Sequence, residues 1–147
     1  MGNVEEASSN FEAGFSCSQS IVAAFGPEMG LERTLALRVG ATMGGGLARS
    51  GETCGAASGA LVVIGLKYGR IEADDEEAKE KTYRLGAEFL ERFNSRVGST
   101  VCRELLGYDV SDPEQRRLGE ENGISTTVCP GLVREAAEIL EQILREE

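Results

Sequence analysis

Four cysteines, Cys17, Cys54, Cys102 and Cys129, hold most of the reactive chemistry available to this 147-residue chain, which has no histidine. Any transition-metal site must therefore be built from thiolates or carboxylates, and any general base must be something other than imidazole. Thiolates offer two kinds of chemistry here. They can ligate an iron–sulfur cluster or zinc, or they can exchange with disulfides. The spacing contains no C-x-x-C, so neither a zinc-ribbon nor a thioredoxin-type signature is present. The gaps are long, and only the fold can bring the four residues together.

The elements that must position them read as helices separated by glycine, with little sign of strands. A short segment near Val4–Ala13 precedes Gly14. Ser16-Cys17-Ser18-Gln19 fits the capping-box pattern and starts a helix through Ile21, Val22 and Phe25 to Gly26-Pro27. Leu31–Met43 contains helix formers and stops at Gly44-Gly45-Gly46. Glu52–Tyr68 is apolar nearly all round, as a buried helix is. Asp75–Val97 is the clearest amphipathic helix, with Ala78, Thr82, Leu85, Phe89, Phe93 and Val97 on one face and Asp74 to Glu77 at its positive end. Ser99 or Thr100 caps a short helix through Leu106. Gly107 to Thr127 is polar, with at most a helical turn over Pro113–Leu118. The last helix follows Pro130, with Leu132, Ala136, Ile139, Leu140 and Ile143 facing inward. The expectation is an all-α single domain over residues 1–147, a compact bundle of about five to six helices.

On these boundaries each cysteine occupies the first turn of a helix: Cys17 after Ser16, Cys54 after the Gly44–Gly51 loop, Cys102 after Ser99/Thr100, and Cys129 as the N-cap before Pro130. Unpaired N–H groups and the positive dipole end stabilise a thiolate there. The bland alternative is that the cysteines are small buried hydrophobes. Gly55 and Gly59 lie four apart on one helix face, which suits contact with a bound cofactor or the close approach of another helix. Gly44-Gly45-Gly46 lacks the Gly-Lys-Ser/Thr of a phosphate cradle and reads as a flexible or positive-φ turn that positions Cys54.

Composition narrows the partners. The net charge of −10 argues against nucleic acid or an anionic membrane. The longest mostly apolar stretch, Ala56–Leu66, is far short of the ~20 residues of a membrane span. Met-Gly-Asn-Val-Glu-Glu is neither a secretory signal nor a myristoylation site, since Glu6 stands where Ser or Thr is needed. A cytoplasmic location is expected, where thiols stay reduced and cysteines are more often metal-binding or catalytic than disulfide-bonded.

At these residues the chain resembles the C_GCAxxG_C_C family of small proteins with four cysteines and an assigned redox role. The stretches that carry the resemblance are Gly14-Phe15-Ser16-Cys17-Ser18-Gln19, Gly44-Gly45-Gly46 leading into Gly51-Glu52-Thr53-Cys54-Gly55-Ala56-Ala57-Ser58-Gly59-Ala60, Gly98-Ser99-Thr100-Val101-Cys102-Arg103-Glu104-Leu105-Leu106-Gly107, and Cys129. It runs in order over nearly the whole chain, with all four cysteine positions kept. A similar domain accompanies haem in split-Soret-type cytochromes, where its cysteines are associated with an iron–sulfur centre. The resemblance implies a redox role and leaves the cofactor open.

The leading expectation is a redox protein whose four thiolates gather at one site, as ligands of an iron–sulfur cluster or as reversible disulfides. For dithiol chemistry Cys54 is the candidate nucleophile. Four cysteines allow three pairings, and the sequence selects none. The alternative is a structural four-thiolate zinc site in an interaction module. The expected partners are proteins that donate or accept electrons, and a homodimer is the default for a small protein.

Overall fold

The computed structural model describes residues 2–147, and among them every regular element is helical. The helices are α1 (Asn3–Glu12), α2 (Cys17–Phe25), α3 (Arg33–Val39), α4 (Gly55–Tyr68), α5 (Glu76–Val97), α6 (Cys102–Leu106), α7 (Pro113–Glu121) and α8 (Ile124–Glu146), with a 3-10 turn at Gly26–Met29. The all-α expectation holds, but eight helices replace the expected five to six. One addition is α7, a full helix in place of the single turn expected there. Its apolar content is low, so periodicity does not reveal it. It is held instead by the Asp112 side chain, which accepts from the Glu114 and Gln115 N–H groups, and by Pro113 in its first turn. No helix among the described residues is long and apolar enough to cross a membrane.

The core is built where α2, α4, α5 and α8 meet. Phe25, Ile64, Leu85, Phe89, Phe93, Ile139, Leu140 and Ile143 are fully buried there. The rings of Phe89 and Phe93 stack with centroids 5.8 Å apart. Each such side chain contributes about 1.5–3 kcal/mol through burial. Helix α5 shows the expected face, capped by Asp75 and ended by Gly98 in the left-handed region.

Helix α2 is enclosed on nearly all sides, so its polar groups need internal partners. The capping box is complete: the Gln19 N–H donates to Ser16, and the Gln19 side chain accepts from the Ser16 N–H. The buried Ser18 hydroxyl donates to the Gly40 carbonyl at 2.7 Å, and Ser20 donates to the Ser16 carbonyl at 2.7 Å. On its other side α2 lies directly on the backbone of α4. A β-carbon at Gly59 would sit 3.0 Å from the Ser18 carbonyl oxygen and 3.2 Å from its Cα. Gly59 is thus a packing glycine, the second of the two roles open to it in the sequence.

Two glycine substitutions should move stability in opposite directions. Gly59→Val forces α2 and α4 apart and should cost about 1–3 kcal/mol. Gly131→Ala, at an exposed position of α8 with open space for a β-carbon, should add up to about 1 kcal/mol. Urea unfolding midpoints check both. Equal small effects would contradict the α2–α4 contact.

Candidate four-cysteine site

Two cysteines are set by a clasp between distant segments. The Cys54 N–H donates to the Thr100 carbonyl at 2.8 Å, the Cys102 N–H to the Glu52 carbonyl at 2.6 Å, and the Arg103 N–H to the Gly51 carbonyl at 3.1 Å. Thr53 and Val101 form an antiparallel bridge between them. The Arg103 guanidinium pairs with Glu52 at 3.0 Å on the outside. Cys54, at the N-cap of α4, and Cys102, the first residue of α6, are thereby brought side by side. Cys17, the first residue of α2, reaches the same place through the α2–α4 contact, since a β-carbon on Gly55 would lie 3.3 Å from its own.

Cys129 arrives differently. The last helix begins at Ile124, not after Pro130, so Cys129 is not an N-cap but lies inside α8 with Pro130 next to it. Gly123, in the left-handed region at φ 67°, starts the helix, and the Thr126 and Thr127 hydroxyls both donate to the Gly123 carbonyl at 2.9 Å. Pro130 removes one helical donor, but the long buried face of α8 outweighs that loss. Three of the four expected helix-start placements hold and this one does not.

All four cysteines line one cavity of about 200 Å³. Cys54, Cys102 and Cys129 are buried and Cys17 is half-buried. Gly55 lines the cavity and Gly59 does not. Arg49, Tyr108 and Arg116 also line it, and nothing in the sequence pattern marks them. Tyr108 packs its ring onto α7 at Gly119, where a β-carbon would overlap the ring, and lines the cavity with Ser125. Burial, followed by the Cys129 and Cys102 charges, raises its pKa.

The glycine loop before Cys54 has a positive-φ backbone, as expected, but the left-handed run is longer than its glycines. Gly45, Gly46, Leu47, Ala48 and Arg49 have φ of 65°, 70°, 69°, 51° and 61°. A left-handed non-glycine residue costs roughly 1–2 kcal/mol. Hydrogen bonds from Gly51 to Gly45 at 3.0 Å and from Glu52 to Gly46 at 2.8 Å close the turn. Gly46 abuts the site so tightly that a β-carbon there would lie 2.6 Å from the Cys102 β-carbon.

Burial, not helix polarity, governs Cys54 and Cys102. Burial pushes the Cys54 thiol up, against the opposing pull of the Ala56 and Ala57 N–H groups. It pushes Cys102 to about 12, with the nearby Cys54 and Cys129 charges adding. Cys17 and Cys129 line the same cavity and interact, with opposite effects on the two thiols. The interaction raises Cys17 and lowers Cys129. The one thiol shifted toward thiolate is therefore the one that is not at a helix start. Among the described residues, no three Cys, Asp or Glu side chains converge closely enough to hold a single metal ion.

The family model described as putative redox-active protein (C_GCAxxG_C_C) matches residues 15–143, and the chain belongs to that family. Comparison with curated proteins and with solved structures gives no match.

The Cys102 shift predicts a pH dependence. Its folded pKa, about 12, lies above the ordinary 9.0, so the folded state holds a proton that the unfolded chain releases between them. That contribution is complete below about pH 9 and declines as pH rises toward 12. Urea midpoints measured from about pH 8 to about pH 11 should fall less steeply for Cys102→Ala than for the parent. Parallel slopes would contradict the assignment.

Proposed function

We propose that this member of the C_GCAxxG_C_C family is a thiol redox protein in which Cys17 and Cys129 cycle between dithiol and disulfide. The observation that carries this reading is that the two thiols line one cavity, where each shifts the acidity of the other. Disulfide exchange needs a thiolate that attacks and a second thiol within reach to resolve the mixed disulfide. Cys129 supplies the first and Cys17 the second. The electrostatics favour Cys129 as nucleophile over Cys54, which burial holds in its neutral form. Two electrons leave the pair on oxidation, the Sγ–Sγ bond forms, and the Cys17 proton passes to the departing thiolate. The partners on this reading are proteins or small molecules that exchange disulfides, in a compartment that returns the pair to the dithiol.

A second reading has its own support. Four thiols on one cavity, without histidine, match the all-cysteine ligation of an iron–sulfur cluster. Cys17, Cys54, Cys102 and Cys129 would hold it, and it would supply one-electron transfer. The Ala56 and Ala57 N–H groups beside Cys54 and the nearby Gly55 would tune it. A structural zinc held by the four thiolates has less support. Tetrahedral Zn–S bonds of about 2.3 Å require thiolates roughly 3.8 Å from one another, and no three side chains among the described residues converge on one point.

Protein purified without oxygen should contain no stoichiometric iron, sulfide or zinc, and mild oxidation should remove two free thiols. Cys17→Ser and Cys129→Ser should each abolish that loss, while Cys54→Ser and Cys102→Ser keep it. Stoichiometric iron and sulfide would replace this reading with the cluster. An unchanged thiol count in metal-free protein would overturn both.

A further inference from the structure

The cavity carries positive groups that the thiol chemistry does not use. Most arginines of this acidic chain are tied to carboxylates: Arg92, Arg96, Arg103, Arg117, Arg134 and Arg145 all make ion pairs. Arg49 and Arg116, the two that line the cavity, make none among the described residues. Arg116 is half-buried and donates from one guanidinium nitrogen to the Val110 carbonyl at 2.8 Å, which fixes the side chain and leaves its remaining donors open. Arg49 donates its N–H to the Gly44 carbonyl at 3.2 Å, but its guanidinium makes no ion pair or hydrogen bond among the described residues. Its backbone belongs to the strained left-handed turn, and such strain persists where the surrounding structure and its use over-determine it. That turn places Arg49 over Gly45, where a β-carbon would lie 2.9 Å from the Arg49 Cα. Gly45 and Gly46 also line the cavity, and their N–H groups find no backbone acceptor among the described residues. Successive free N–H groups in a turn form an anion-binding concavity. One carboxylate, the exposed Glu120, lines the same space.

We propose that the cavity admits one arm of a small carboxylate-bearing disulfide, whose carboxylate is held by Arg49, Arg116 and the Gly45–Gly46 turn while its sulfur meets Cys129. This rests on the dithiol reading of the Cys17/Cys129 pair. The step balances without a further reagent. The Cys129 thiolate attacks one sulfur of the small disulfide, forming a mixed disulfide and releasing one small thiolate. Cys17 then displaces the second small thiolate, which takes the Cys17 proton, and the Cys17–Cys129 bond forms. The protein pair is oxidised by two electrons and the small disulfide is reduced to two thiols. In reverse, the oxidised protein accepts electrons from the corresponding small thiols. A volume of about 200 Å³ suits an arm a few carbons long. The guanidinium fork suits a carboxylate.

The test uses three disulfides of nearly equal size: dithiodipropionate, bis(hydroxyethyl) disulfide and cystamine, which are dianionic, neutral and dicationic. The rate of thiol loss from the reduced full chain is measured with each at physiological ionic strength, and each rate is divided by that disulfide's reaction with mercaptoethanol. The net charge of −10 favours the dicationic compound at long range, so a preference for the dianionic one must come from the cavity. The expected normalised ratio, dianionic over dicationic, is about tenfold or more. In Arg49→Glu that ratio should fall below one. Arg116→Gln should lower it, with helix content checked by circular dichroism because Arg116 also anchors the Val110 carbonyl. A parent ratio near or below one would overturn the proposal while leaving the dithiol reading intact, as would a ratio unmoved by Arg49→Glu. If none of the three disulfides oxidised the pair, the dithiol reading would fall and this proposal with it.

Discussion

The site depends on two helices lying backbone to backbone. Helix α2 can rest on α4 because residues 55 and 59 have no side chain, and any β-carbon there would press on Ser18, Met43 or Cys17. That single approach carries Cys17 from the N-terminal part of the chain to the start of α4, beside Cys54. It also buries α2 on nearly every side, so Ser18 and Ser20 must find internal acceptors, and they do so at Gly40 and Ser16. The clasp between residues 51–54 and 100–103 then adds Cys102, and the buried face of α8 adds Cys129. Packing assembles the cysteines, and the cavity is what the packing leaves between them.

The same burial decides their chemistry. A thiol at a helix start is stabilised as a thiolate by N–H groups and the dipole, but removal from water disfavours the charged form. At Cys54 the two effects are both present, and burial prevails. At Cys102 burial prevails again. Only at Cys129 is the balance reversed, through its interaction with Cys17, whose own pKa rises. Four equivalent thiolates in a small apolar space would repel one another. The arrangement found instead shifts Cys129 toward the thiolate and the other three toward the thiol, with Arg49 and Arg116, which make no ion pair among the described residues, lining the same cavity.

Much of this is legible in the sequence, for identifiable reasons. Helix α5 shows its face because Leu85, Phe89 and Phe93 recur at helical spacing, and Asp75 and Gly98 mark its ends. Ser16 and Gln19 announce the start of α2, since a capping box is a local device. The expected helix over Leu31–Met43 is shorter, Arg33–Val39, because Glu32 caps it and Gly40 ends it against the backbone of Gln19. The start of α8 is misread because Pro130 is a strong local signal, whereas the real start uses Gly123 and two threonine hydroxyls. The left-handed run through Leu47, Ala48 and Arg49 contradicts local propensity and is held by the hydrogen bonds that close the turn. Arg49, Tyr108 and Arg116 join the site only through the fold, so no spacing in the chain could mark them.

Membership of a redox family and a shared cavity for its four cysteines give the account its frame. Its central claim is that one pair among them, Cys17 and Cys129, does the exchange. Disulfide mapping tests this most directly: the protein is mildly oxidised, its remaining thiols are alkylated, and its proteolytic fragments are identified by mass spectrometry. The account predicts a single linked pair joining the Cys17 and Cys129 peptides, with Cys54 and Cys102 recovered alkylated. A link through Cys54 or Cys102, or no link at all, would contradict it.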